Sequence, residues 1–488
     1  MQYEMGMLPS YDYLYFKQGN EENAGYYSVD RTRQREVSFF GTGTYSYKGR
    51  YTLNGTVRYE GSNKLGKSRK ARWLPTWNVS AAWNAHEEEF WQSFRDVVSN
   101  MTLKASYSLT ADRGPASVSN SKAIINSYNT WRPFTSVKES GLILSSVENS
   151  ELTYEKKHEL NIGAEIGFID NRINIEADWY TRNNFDLIGL IYTKGTGGQL
   201  AKFANVASMK SSGVEFTVST RNIKTKDFSW NTDFIFSHTK NEVTDLQSNA
   251  SVMDMISGNG FAMEGYPVRA LFSMDFQGLD ENGYPTFINE KGQLTVSDIN
   301  FQEQLKKDHL VYEGPTDPTM TGSLGNIFRY KGFTLNAFIT YSFGNVIRLD
   351  PVFHNVYSDL DAMPREFINR WTTGGDEKVT NVPVIADKRA NQQDPYLSYA
   401  YNAYNYSTER IAKGDFIRMK ELSLSYNFPK KMISRLKVND LSLKIQATNL
   451  FLIYSDKKLN GQDPEFFNTG GVASPVPRQF TLTLRLGI

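Results

Sequence analysis

The chain has 488 residues, with 54 Lys and Arg against 53 Asp and Glu and a formal net charge of +1. That balance supplies no global field for nucleic acid, and the absence of Cys removes disulfides and thiolate metal sites. No run of about 18 apolar residues occurs, so no segment reads as a transmembrane helix, a test that spanning β-strands escape because only every second residue need be apolar.

The N-terminal Met1–Leu8 stretch has neither a basic nor an apolar signal region, so no signal peptide is read. From Val37 the chain alternates. Val37, Phe39, Gly41, Gly43, Tyr45 and Tyr47 fall on one face, with Ser38, Phe40, Thr42, Thr44 and Ser46 on the other. Lys48-Gly49 then supplies a two-residue turn, and Tyr51, Leu53, Gly55, Val57 and Tyr59 return. Leu103–Leu109 repeats the pattern, as do Ile162–Phe168 and Ile173–Trp179 around an Asp170-Asn171-Arg172 turn. Val214–Val218 and Phe228–His238 flank a further short turn, and Lys331-Gly332 leads into Phe333–Tyr341. Strands near Leu422–Phe428 and Leu441–Ala447 precede the last, Phe480–Ile488, whose Phe, Leu and Ile share one face.

An apolar face toward lipid and a polar face toward a wet lumen are what a membrane barrel presents. Abundant Tyr and Phe, 28 and 30 residues, suit interfacial girdles. Short turns near 48, 171, 224 and 331 alternate with long links near 61–71, 111–150, 187–204, 245–317, 350–411 and 457–474. The links at 84–98 and 429–438 take short-turn places, and parity requires 245–317 to hold no spanning strand or an even number. Thirteen strands result, the last running toward the periplasm.

The hairpin from Arg50-Tyr51 to Gly61-Ser62, Leu74-Pro75-Thr76 through Trp83 with Glu88-Glu89-Phe90, and Asn205 to Gly213-Val214-Glu215 resemble segments of the SusC/RagA-type TonB-linked outer-membrane protein family. Lys413-Gly414-Asp415-Phe416-Ile417-Arg418, Asn449-Leu450-Phe451 and Gly461-Gln462-Asp463-Pro464-Glu465 are similar to its C-terminal signatures. The resemblance implies an all-β, transmembrane antiparallel β-barrel of 22 strands preceded by a plug domain and TonB box. Residues 35–488 then read as its C-terminal portion, about 13–15 strands without a plug. Residues 1–34 read as an extracellular loop or the end of a preceding strand, in a sequence that begins partway through a longer product. Ile488 departs from the aromatic residue that commonly ends such barrels.

Import of glycans or oligopeptides across the outer membrane is implied. A SusD-like surface lipoprotein would form the lid, and the TonB complex would act through the plug region. No cofactor and no enzymatic activity are expected. A passive porin or adhesion barrel, and a soluble secreted β-rich binding protein, remain as alternatives. Loop aromatics Tyr128, Trp131, Phe134, Phe353, Tyr357 and Tyr399 are candidates to stack on sugars or peptide side chains, with loop packing as the other reading. Asp359 and Asp361 read as either a Ca²⁺ site or a solvated acidic loop. The five His are scattered without metal-ligand spacing, and Gly195-Thr196-Gly197-Gly198 precedes no Lys-Ser/Thr. Glu87-Glu88-Glu89 reads as a helix start or turn.

Overall fold

The computed structural model describes residues 34–114, 123–130, 139–192, 194–195, 201–247, 250–353, 365–385, 388–434, 438–467 and 477–487. The first four strands, β1 (Glu36–Tyr47), β2 (Tyr51–Ser62), β3 (Trp73–Asn84) and β4 (Val98–Asp112), form consecutive antiparallel pairs. A separate hairpin, β5 (Ile124–Thr130) and β6 (Glu139–Ser146), stands between β4 and β7 (Glu155–Phe168). The wall continues through β8 (Ile173–Tyr192), β9 (Ala201–Lys224) and β10 (Phe228–Leu246).

Five short strands follow in the 247–319 link: β11 (Ala270–Met274), β12 (Phe276–Leu279), β13 (Pro285–Ile288), β14 (Leu294–Thr295) and β15 (Leu310–Pro315). None of them joins the thirteen-stranded sheet, so among the described residues this link adds no spanning strand. β16 (Met320–Tyr330) and β17 (Phe333–Phe343) resume the wall. β18 (Val346–Arg348) and β19 (Ile411–Lys413) form a two-stranded piece at the loop end. β20 (Phe416–Asn427), β21 (Asp440–Ser455) and β22 (Gln479–Gly487) complete a thirteen-stranded meander.

Register places the alternation on two continuous faces. One row reads Tyr45, Leu53, Ala81, Ala105, Ile162, Trp179 and Val214; the next, one residue along, reads Thr44, Asn54, Ser80, Ser106, Asn161, Tyr180 and Gly213. Because side-chain direction alternates strictly, a one-residue slip would turn every polar group into lipid.

The links alternate as expected, but the sheet outgrows them. The sequence reading stops a strand at 187 and resumes near 205, whereas β8 and β9 run on to Tyr192 and back from Ala201. Asp186 has φ 57, and the register shifts between Asn184, Leu187 and Ile188. That bulge breaks the period-two pattern while the hydrogen-bonded ladder continues. At 24 residues, β9 is more than twice the roughly 9–11 residues a bilayer requires, so the strand pair projects beyond the apolar belt. The Glu87–Glu89 stretch forms two 3₁₀ turns, Ala85–Glu87 and Glu89–Ser93, in the short-turn position.

Candidate functional site

At the short-turn end, two sequence motifs 38 residues apart meet. Arg50 Nη1 lies 3.0 Å from Glu88 Oε2, and the Tyr51 hydroxyl and Trp83 indole N–H both donate to Glu88 Oε1. Asn84 Nδ2 closes the clamp on the Gly49 carbonyl at 2.7 Å. The Tyr51 hydrogen bond, with the Trp83 bond and the Arg50 charge, holds the Glu88 carboxyl below the usual glutamate range against the opposing effect of desolvation. A depressed folded pKa contributes stability that is complete above the unfolded glutamate value and lost as pH falls through the folded one. Glu88→Gln should therefore flatten the acid side of the stability–pH profile, measured as denaturant midpoints in micelles between pH 3 and 7. An unchanged slope would remove Glu88 as its source.

At the opposite end of the β2–β3 pair, Gly61 lies under Trp73. A Cβ at Gly61 would fall 2.6 Å from the indole, which stacks on Tyr59 at 5.1 Å. Behind it Leu65, Leu74, Leu152 and Tyr154 form a small core, with Glu60 buried beside Arg58 at 2.6 Å. Midway along the wall, Gly213 makes room for the Tyr180 ring, which crosses β9 so that its hydroxyl meets Thr239 Oγ1 at 2.8 Å. The Arg182 guanidinium lies 4.0 Å from that ring. Glu215 stands between Asp178 and Ser237 on the polar face.

The C-terminal signatures also meet. Asp415 Oδ1 accepts the Gly344 N–H at 2.7 Å, and Arg418, 5% exposed, pairs with Asp463 and with Glu465 at 3.2 Å. Asp463 caps the 3₁₀ turn Pro464–Phe466 by accepting from the Glu465 N–H, with Pro464 at its first position. Asn449 has φ 52 in the bulge where β21 slips against β20. Asn adopts this left-handed backbone at lower cost than a β-branched residue. Asn449→Val should cost about 1–2 kcal/mol in reversible unfolding, and Asn449→Gly much less; equal losses would refute the backbone explanation.

Above this end of the wall, the 247–319 and 344–415 links pack into one cap. Val252, Ile256, Met274, Phe287, Val352 and Tyr404 share its core. Buried Arg348 ties three segments, donating to the carbonyls of Ser407 at 2.8 Å, Phe272 at 2.6 Å and Ile256 at 3.3 Å. Burial lowers its pKa to about 10, which leaves it charged at neutral pH. Arg410 bonds Glu366 and the Asp350 carbonyl. Around it opens a cavity of about 430 Å³ lined by Arg365, Glu366, Asn381, Glu409, Arg410 and Lys458, among others. Charges of both signs give it donors and acceptors for a polar ligand.

Of the predicted aromatics, Phe353 stacks on buried Tyr401 at 3.8 Å inside the cap. Tyr399 is half exposed beside Phe301, 6.0 Å between ring centres. Tyr128 lies on β5, and its side chain is outside the described residues, as are Trp131, Phe134, Tyr357, Asp359 and Asp361. Among the described residues no group of three His, Asp or Glu converges as a metal site. Sequence reasoning missed Arg348 and Arg410. The only trace of Arg348 is a lone cation in the apolar stretch Val346-Ile347-Arg348-Leu349.

A continuous strand meander with one apolar and one polar face, short turns at one end and a folded cap at the other, defines the wall of a transmembrane β-barrel. Residues 3–450 match the family described as TonB dependent receptor-like, beta-barrel, and the chain belongs to that family. It is 24% identical over 450 residues to TonB-dependent receptor P3 of Formosa agariphila, covering 88% of this chain and 42% of that protein. It is 26% identical over 479 residues to TonB-dependent receptor SusC of Bacteroides thetaiotaomicron, covering 94% and 44%. The fold is similar to the structure of the RagAB peptide transporter, with TM-score 0.74, 21% identity and coverage of 93% and 48%. The chain thus spans under half the length of the curated relatives it matches.

Proposed function

We propose that this chain forms wall and cap of a nutrient importer that takes up glycans or oligopeptides with TonB-supplied energy and a SusD-like lipoprotein lid. The observation that carries this reading is the cap itself. Two long links share a core here, and the second of them, together with the 456–467 loop, lines a charged pocket. The names of two similar proteins, SusC and the RagAB peptide transporter, support the same class. The TonB contact is assigned to a plug region outside this chain.

In this reading the cap is extracellular, and β22 runs toward the periplasm. With no Cys in these 488 residues, single cysteines placed here report topology once any Cys elsewhere in the complete protein is replaced. A membrane-impermeant maleimide should label Leu305→Cys, in the exposed long loop, on intact cells, and should label Lys226→Cys, in a short turn, only after lysis. The reverse pattern would invert the orientation.

Transport is tested by uptake of fluorescent oligopeptides and oligosaccharides into cells that express the complete protein, with and without functional TonB. Uptake of one class that stops without TonB is expected. Uptake indifferent to TonB would instead favour a passive pore, and no uptake of either class would overturn the substrate assignment.

A further inference from the structure

We propose that the apolar face carries a built slot for one phospholipid, beside the Lys48-Gly49 turn. This goes beyond import and rests on the apolar face meeting lipid and on the orientation proposed above. A depression of about 430 Å³ opens there, with Ala81 and Ala105 as neighbours on its floor and Tyr45, Leu53, Trp83 and Ile162 in its walls. Along this row the side chains run Tyr45, Leu53, Ala81, Ala105, Ile162 and Trp179, large residues on both sides of a two-residue low.

The walls are held from outside the slot. The Trp83 indole N–H and the Tyr51 hydroxyl both donate to Glu88, itself fixed by Arg50. These bonds keep the rings from folding onto the alanines. Water entering such a site finds few polar partners, and an empty slot forfeits dispersion contacts on one side. An acyl chain lying along the alanine floor supplies those contacts.

A cation stands beside the slot, next to its lining residue Tyr47. Lys48 Nζ lies 5.4 Å from the centre of the Tyr47 ring and makes no ion pair among the described residues. An ammonium at the level of the turn is placed for a phosphodiester, the group shared by phospholipid headgroups. The Tyr47 ring beneath it holds the side chain toward the lipid side. Under the orientation proposed above, this is the phospholipid-bearing periplasmic leaflet. The Arg50–Glu88 motif pair thereby acquires a role, which is to hold the slot open.

Native mass spectrometry of the full-length protein, released from micelles doped with phosphatidylglycerol, tests this directly. The parent protein should retain one lipid more than Ala81→Leu or Ala105→Leu, each of which fills the floor. Ala337→Leu, on the same face of β17 but away from the slot, should retain as many as the parent. Lys48→Gln should lower retention about fivefold. Equal retention by the parent and both filled variants, each shown folded by heat-modifiable gel mobility, would overturn the slot. An equal loss in Ala337→Leu would reduce it to general annular lipid. Retention of diacylglycerol equal to that of phosphatidylglycerol would remove the phosphate from the proposal. None of these readouts depends on uptake, so failure here leaves the transport reading standing.

Discussion

Arg418→Ala is expected to cost about 3–5 kcal/mol of stability. The Arg418 side chain is 5% exposed, and its guanidinium is shared between Asp463, 13% exposed, and Glu465. Truncation would leave the Asp463 carboxylate without its cation in a site where water reaches it poorly. The cost arises mainly from that orphaned charge rather than from the strength of the pair. It would also remove the contact of the guanidinium with the Phe416 ring at 5.3 Å.

The double variant Arg418→Met with Asp463→Leu separates these contributions. It removes the cation and the buried carboxylate and leaves only Glu465, 41% exposed, so it should recover most of the loss, apart from about 1 kcal/mol for the Asp463 cap on the 464–466 turn. Guanidinium titration of protein refolded into lipid vesicles measures each term. A loss under about 1 kcal/mol for Arg418→Ala would mean that the pair is effectively solvated and does not pin the 456–467 loop to the wall.

Gly213→Ala is expected to cost about 2–3 kcal/mol, and Gly213→Val more. A Cβ there meets the Tyr180 hydroxyl at 2.5 Å and the His238 carbonyl at 2.6 Å. The ring can swing aside by giving up its bond to Thr239 and its contact with Arg182. The carbonyl belongs to the β9–β10 ladder and cannot. Tyr180→Phe, which loses only the hydroxyl bond, should cost about 1 kcal/mol. In Gly213→Ala with Tyr180→Ala, part of the strain should persist, because the carbonyl clash remains. Full relief in that double variant would show that ring crowding alone decides the position.

The wall was largely legible from residues. Thirteen alternating segments became thirteen paired strands, and the parity rule for 245–317 was met by small sheets that stay out of the wall. Reading failed where the pattern changed phase. The bulge at Asp186 and the slip at Asn449 each shift the alternation by a residue, so the period ends although the ladder does not. The motifs were legible singly but not as partners. Arg50 with Glu88, and Arg418 with Asp463, are separated by 38 and 45 residues, and only strand register and loop closure bring them together.

The candidate site was less legible. Aromatic residues in a loop suggest stacking platforms, yet a ring such as Phe353 serves cap packing equally well, and composition does not separate the two uses. The cationic centres of the cap, Arg348 and Arg410, leave almost no trace in local sequence, because their partners lie 44–92 residues away.

By itself the sequence determined which face of each strand is apolar, where the short turns fall and that the chain is a membrane barrel wall. These follow from local geometry, since neighbouring side chains in a strand point to opposite sides whatever the rest of the protein does. The tertiary structure alone decided how far the strands project past the belt, how two long links become one cap, and where a slot opens between Leu53 and Ile162. Those features depend on contacts between residues far apart in the chain, whose desolvation and packing are set only once the sheet has brought them together.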